Sequence, residues 1–95
     1  MYFNQVEFGR RVAELRKING MTQEELAEKL GVEKLHISRM ERGVVACSID
    51  LLLEMSTALK VSTDYLLTGQ YPDNKIIKIQ LESVISQLSR IVQSL

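Results

Sequence analysis

The sequence is poor in the residues that build several common kinds of site. It has one cysteine among 95 residues. That excludes an internal disulfide, a cysteine-based zinc centre and a redox pair. A lone histidine offers no metal cluster. Tryptophan is absent, and tyrosine and phenylalanine together number only five. There is no excess of either charge: twelve Lys and Arg balance twelve Asp and Glu. The balance excludes a polybasic tail and an acidic disordered segment, and on its face it argues against nucleic-acid binding. No apolar run approaches the roughly 18 residues of a membrane span, and the opening residues lack the pattern of a secretory signal. The expectation is a soluble cytoplasmic protein without metal or cofactor, small enough that oligomerisation would add useful burial. Nor is there a Ser/His/Asp order in a strand-turn setting or a phosphate-binding glycine loop, so no enzyme is expected.

What is present is helical punctuation. The only proline is Pro72, and most of the five glycines follow or break periodic stretches. Phe8, Val12, Leu15 and Ile18 recur at helical spacing over Gln5 to Ile18, with Gly20 as the stop. Thr22 and Glu25 form a capping box for a second helix, with Leu26, Ala27 and Leu30 facing inward. A third helix is expected over about Glu33 to Glu41, with Val32, Ile37 and Met40 on its buried side. The fourth, about Ser48 to Leu59, takes its apolar positions from Ile49, Leu52, Leu53, Met55, Ala58 and Leu59. The fifth, about Ser62 to Leu67, is anchored by Tyr65 and Leu66. The fold class is therefore all-α, and no stretch alternates with the period of a strand.

Three segments follow: a helical domain at 5–68, a linker at 69–74 and a C-terminal amphipathic helix at 75–95. Asp73 or Asn74 can cap the last helix. Ile77, Leu81, Val84, Leu88, Ile91 and Leu95 are spaced 4, 3, 4, 3 and 4 apart, nearly three heptads of seam positions. A helix so apolar is marginal alone. Self-dimerisation is the expected outcome, ahead of folding back on the domain or binding a different protein.

Two short helices around a tight turn at Gly31 match a helix-turn-helix, in which the second helix enters the DNA major groove. Gln23 at the start of helix 2 can reach a phosphate or brace the next helix. From Phe8 through Leu67 the chain resembles the phage Cro and cI repressor (XRE) family. The strings that carry the resemblance are Arg16-Lys17, Gly20 through Ala27, Leu30-Gly31-Val32, Ile37 through Gly43 and Leu59 through Leu67. Each is weak alone; their order and spacing together are specific.

The resemblance implies a five-helix domain of lambda-repressor type, with helices 2 and 3 as the reading unit. Carried over residue by residue, it makes Gln23 a contact to DNA backbone and bases. Glu33, Lys34, Leu35, Ser38 and Arg39 match the exposed positions of the recognition helix. Arg42 matches a phosphate-facing loop, and Arg16 with Glu41 an ion pair tying helix 1 to the end of helix 3. The expected function is a dimeric repressor of transcription that binds double-stranded DNA at a palindromic operator. The alternative is a protein-interaction module, of antirepressor or antitoxin kind, on the same scaffold.

Three departures from the family pattern stand out. Glu33 replaces the Ser or Thr that often begins helix 3, and is a weaker cap. His36 stands where a small polar residue or Tyr is more usual. Val44-Val45-Ala46-Cys47 replaces a basic loop. Cys47 is expected to be a small, half-buried residue rather than a redox sensor.

Overall fold

The structure is a computed structural model. It describes residues 3–71 and 74–95, with only the backbone for residues 74–80. Among the described residues the elements are α1 (Gln5–Ile18), α2 (Gln23–Leu30), α3 (Lys34–Glu41), α4 (Ile49–Leu59), α5 (Thr63–Thr68) and α6 (Asn74–Gln93). Short polar side chains start most of them. Asn4, Thr22, Ser48 and Ser62 each accept a backbone N–H in the first turn of α1, α2, α4 and α5. Such caps satisfy donors that have no partner within the helix. Thr22 and Glu25 form the reciprocal box read from the sequence. Glu33 caps α3 without any side-chain hydrogen bond.

α1 to α4 end alike. The amide two residues beyond the last or cap position returns to a carbonyl five residues back: Met21 to Arg16, Val32 to Ala27, Val44 to Arg39 and Val61 to Ser56. This is the Schellman closure. It needs a left-handed residue, which Gly20, Gly31 and Gly43 supply in the first three and Lys60 in the fourth.

The core is one cluster drawn from all five helices of the domain. Phe8 and Val12 of α1, Leu26 of α2, Ile37 and Met40 of α3, Met55 of α4 and Leu66 of α5 have no exposed surface. At about 1.5–3 kcal/mol for each large apolar side chain buried, this cluster is the main source of stability.

Two sequence expectations are corrected. Ile18 is 78% exposed, because the chain leaves the helical path just after it. There the Asn19 side chain bonds the carbonyls of Leu15 and Leu59, so the buried stripe of α1 ends at Leu15. In α4 the buried face is Leu51, Met55, Ala58 and Leu59, at i, i+4, i+7 and i+8. Ile49 and Leu53 lie on the neighbouring ridge, 77% and 55% exposed. In α5, Leu66 is buried whereas Tyr65 is half-buried, its ring stacked on that of Tyr71 at 4.9 Å.

One close approach decides how α1 and α3 meet. Gly9 lies inside α1, where glycine normally weakens a helix by about 1 kcal/mol relative to alanine. A Cβ at Gly9 would stand 2.1 Å from the Met40 carbonyl oxygen and 2.9 Å from that of Glu41. The α3 backbone occupies the space a side chain would need. Gly9→Ala is therefore expected to destabilise the domain by at least about 2 kcal/mol, against the helix-propensity gain. Urea unfolding followed by circular dichroism measures this, and an unchanged or higher midpoint would show that α3 moves aside freely.

Candidate nucleic-acid interface

α3 packs on α1 and α2 through Ile37 and Met40, and this leaves its other side in solvent. Lys34, Leu35 and Arg39 are exposed there, and Ser38 is half-buried between them and the core. Glu33 stands exposed at the N-cap and Arg42 exposed at the C-cap, with its Nε donating to the Ser38 carbonyl at 3.3 Å. Of the sequence-predicted DNA contacts, Glu33, Lys34, Leu35, Ser38, Arg39 and Arg42 thus fall on α3 or at its ends, and Gln23 opens α2.

A buried carboxylate fixes the position of that helix. Arg16 Nε donates to Glu41 Oε2 at 2.6 Å and Arg16 Nη2 to Glu41 Oε1 at 3.0 Å. The third nitrogen, Nη1, donates to the Met21 carbonyl at 2.8 Å. Gln23 Nε2 donates to Glu41 Oε1 at 3.0 Å. The Arg16 and Glu41 side chains are only 10% and 6% exposed. The expected ion pair is therefore present, with Gln23 as a third member. The amide nitrogen of Gln23 braces α3, which leaves its Oε1 for other contacts.

The capping box occupies the Glu25 amide, so Gln23 and Glu24 retain the free first-turn amides of α2.

Most of the α1 cations are engaged inside the molecule. Arg10 pairs with Glu7. Arg11 donates from Nε and Nη2 to the carbonyls of Leu66 and Leu67 at 2.9 and 3.0 Å, closing the C-terminus of α5. Arg16 is buried in the ion pair. Charge alone does not reveal which guanidinium meets a carbonyl. Arg11 carried no such signal; its partners lie 55 and 56 residues away.

The loop after Gly43 is held to α1 by Gln5, whose Nε2 donates to the Gly43 carbonyl at 2.8 Å. Val44 is exposed, while Val45 and Cys47 pack partly against the core. Burial pushes the Cys47 thiol up from its ordinary pKa, so it stays protonated, as expected of a half-buried cysteine. No group of His, Cys, Asp and Glu among the described residues is arranged to hold a metal ion. No helix among them is long and apolar enough to cross a membrane. Of the predicted dimerisation residues, Leu81, Val84, Leu88 and Ile91 are exposed on α6, Leu95 is exposed beyond its end at Gln93, and the side chain of Ile77 lies outside the described residues.

Residues 12–66 match the family model HTH_3, described as helix-turn-helix. The chain belongs to this helix-turn-helix family. The match runs from the middle of α1 to α5 and contains the whole α2–α3 unit. Among relatives, the transcriptional regulator ImmR of Bacillus subtilis is 42% identical over 62 residues, 65% of this chain and 49% of that protein. The chain spans about half the length of the curated relatives it matches, from 49% to 59% of the first three. Among solved structures, the P22 c2 repressor in complex with a synthetic operator has a TM-score of 0.64. It is 36% identical, and the match covers 66% of this chain and 96% of that one. SinR, a biofilm regulator solved in complex with DNA, has a TM-score of 0.59 at 40% identity, covering 62% of this chain and 95% of that one. Its Bacillus subtilis sequence is described as an HTH-type transcriptional regulator. The relatives are regulators rather than enzymes.

The buried cluster yields a stability prediction. Arg16→Met leaves the Glu41 carboxylate buried with Gln23 as its one remaining side-chain donor. Removing one partner of a buried pair costs about 3–5 kcal/mol. The expected result is a loss of that size in urea unfolding; a loss below about 1 kcal/mol would place the pair in the weak class of surface ion pairs.

Proposed function

We propose that this chain is a sequence-specific, double-stranded-DNA-binding transcriptional repressor that acts as a dimer on a palindromic operator and reads it through α3. The observation that carries the reading is the free row Lys34, Leu35 and Arg39 on a helix whose opposite side is fixed by Ile37, Met40 and the Glu41 cluster. A helix fits the major groove, which is about 12 Å wide. Lys34 and Arg39 donate to guanine O6 and N7, and Leu35 meets a thymine methyl. Ser38 donates or accepts, and Glu33 accepts from cytosine. Arg42 and the free amides of α2 take phosphates, which position the domain without specifying sequence. Gln23 contributes its Oε1.

One such domain reads one half-site. Two related by a twofold axis read half-sites about 34 Å apart. Pairing of α6 through Ile77, Leu81, Val84, Leu88, Ile91 and Leu95 supplies the second copy. Repression by occlusion of a promoter needs no further activity, and it takes place in the cytoplasm with the DNA. Support comes from the P22 c2 repressor and SinR, both solved bound to DNA.

Selection from random duplexes at low salt is expected to enrich a palindromic motif. Lys34→Ala with Arg39→Ala is expected to relax that motif and to weaken binding at least tenfold, since each good base contact is worth about 1–3 kcal/mol. No enriched motif, or a double variant with unchanged motif and affinity, would overturn the reading. The exposed Val44 and the acidic Glu33 would then favour a protein-interaction module.

A further inference from the structure

The chain leaves α5 along a path that is tied down residue by residue. α5 has only six residues, and the last carbonyls of a helix lack partners within it. Arg11 of α1 serves two of them, donating from Nε to Leu66 and from Nη2 to Leu67 at 2.9 and 3.0 Å. The Thr68 hydroxyl donates to the Asp64 carbonyl at 2.7 Å and accepts the Gln70 N–H at 3.1 Å. The Gly69 N–H returns to the Tyr65 carbonyl at 2.8 Å. Gly69 itself is left-handed, at φ +75°, and a Cβ there would stand 3.2 Å from Arg11 Nη1. Last, the Tyr71 ring stacks on that of Tyr65, with 4.9 Å between centroids and 19° between planes. Tyr71 is 47% exposed, so about half of its surface is covered although it stands beyond the end of the helix.

Gly69, Gln70 and Tyr71 therefore continue the domain. Only Pro72 and Asp73 lie between Tyr71 and Asn74, where α6 begins. Three steps of extended chain reach at most about 11 Å, so the start of α6 is held within that distance of Tyr71. Were the exit untied, the free chain would begin at Thr68 and reach about twice as far.

That difference matters on DNA. Half-sites one helical turn apart lie about 34 Å, or about 10 base pairs, from centre to centre. Each added base pair moves one half-site by about 3.4 Å and turns it about 35° around the duplex. A short leash between head and α6 cannot follow both displacements, whereas one twice as long can. The reading surface stands apart from this device. α3 is held by Glu41 and against Gly9, and none of the bonds around Tyr71 involves α2 or α3.

We infer that Tyr71, stacked on Tyr65 beside the turn held by Arg11, is a positioning residue for operator recognition. It fixes where α6 leaves the domain, and so sets which separation of half-sites a pair of heads accepts. The inference rests on the dimer proposed above, in which α6 joins the two heads.

The full chain is titrated with duplexes that carry the selected half-site twice, the spacer lengthened or shortened one base pair at a time. Wild type is expected to prefer one spacer and to lose about tenfold or more for a change of one base pair, because the geometry then forbids simultaneous engagement. Tyr71→Ala is expected to level that preference across neighbouring spacers. It loses only about threefold at the best one, the cost of doubling a flexible leash. The selected half-site sequence stays the same, because α3 is untouched. Tyr71→Phe keeps the ring and is expected to behave as wild type.

A Tyr71→Ala chain that keeps the wild-type spacer preference overturns the inference, as does a Tyr71→Phe chain that behaves like Tyr71→Ala. So does a wild type that binds two half-sites better than one, yet equally at every spacer. Equal wild-type affinity for one half-site and for two sinks the dimer reading instead. Hydrogen exchange then judges the anchor by itself. A slowed Gln70 amide that Tyr71→Ala releases upholds the tied exit, and free exchange at Gln70 in wild type overturns it.

Discussion

The Glu41 carboxylate is the point on which the position of α3 depends. It receives Arg16 from α1 and Gln23 from the first turn of α2, while Glu41 itself is the last residue of α3. Arg16 also holds the Met21 carbonyl in the loop between α1 and α2. Three helices and one loop are thereby referred to a single group. Apolar residues of similar volume often replace such a cluster without loss of stability, so its net energy does not explain its presence. Its directional bonds do something the hydrophobic core cannot. Ile37 and Met40 resist removal of α3 from the core but tolerate sliding and rotation. The three directed hydrogen bonds to Glu41 do not.

The same end of α3 is held twice more. The α3 backbone lies against Gly9 with no room for a side chain, and Gln5 holds the Gly43 carbonyl just beyond the helix. The constraints therefore concentrate at Met40 to Gly43. The other end, at Glu33 to Leu35, has no side-chain cap and faces solvent. The restraints stay clear of Lys34 and Leu35, the side chains proposed to meet base edges, while fixing the angle at which α3 is presented.

Much of this was legible in the sequence because it is encoded locally. Thr22 and Glu25 announce a helix start through a three-residue spacing, and Gly20, Gly31 and Gly43 announce left-handed stops. Arg16 with Glu41 came only from the family resemblance; composition and periodicity are silent about a pair 25 residues apart. Gln23 was read with two roles, and the buried carboxylate explains why its nitrogen takes the bracing one. Apolar character alone does not specify burial. Ile49 and Leu53 are as hydrophobic as Leu51, and only the packing direction of α4 separates them. Arg11 was invisible as a clamp because its acceptors are backbone carbonyls, which every residue possesses. The heptads of α6 were visible as a seam. Ile85 and Val92 stand beside that seam and are exposed as well.

Charge links the domain to its assembly. A chain with net charge 0 exerts little long-range pull on DNA. The fold sharpens this, since Arg11 and Arg16 are engaged with the α5 carbonyls and Glu41. On and beside α3, Lys34, Arg39 and Arg42 remain exposed. A head with few phosphate contacts binds weakly away from its own sequence, which favours discrimination at the expense of affinity. Joining heads restores affinity without adding charge, because the first contact raises the effective concentration of the next. That gain is realised only where several correct half-sites lie within reach. Weak heads joined as the proposed dimer would therefore suit a regulator whose occupancy depends on the arrangement of its sites as much as on their sequence.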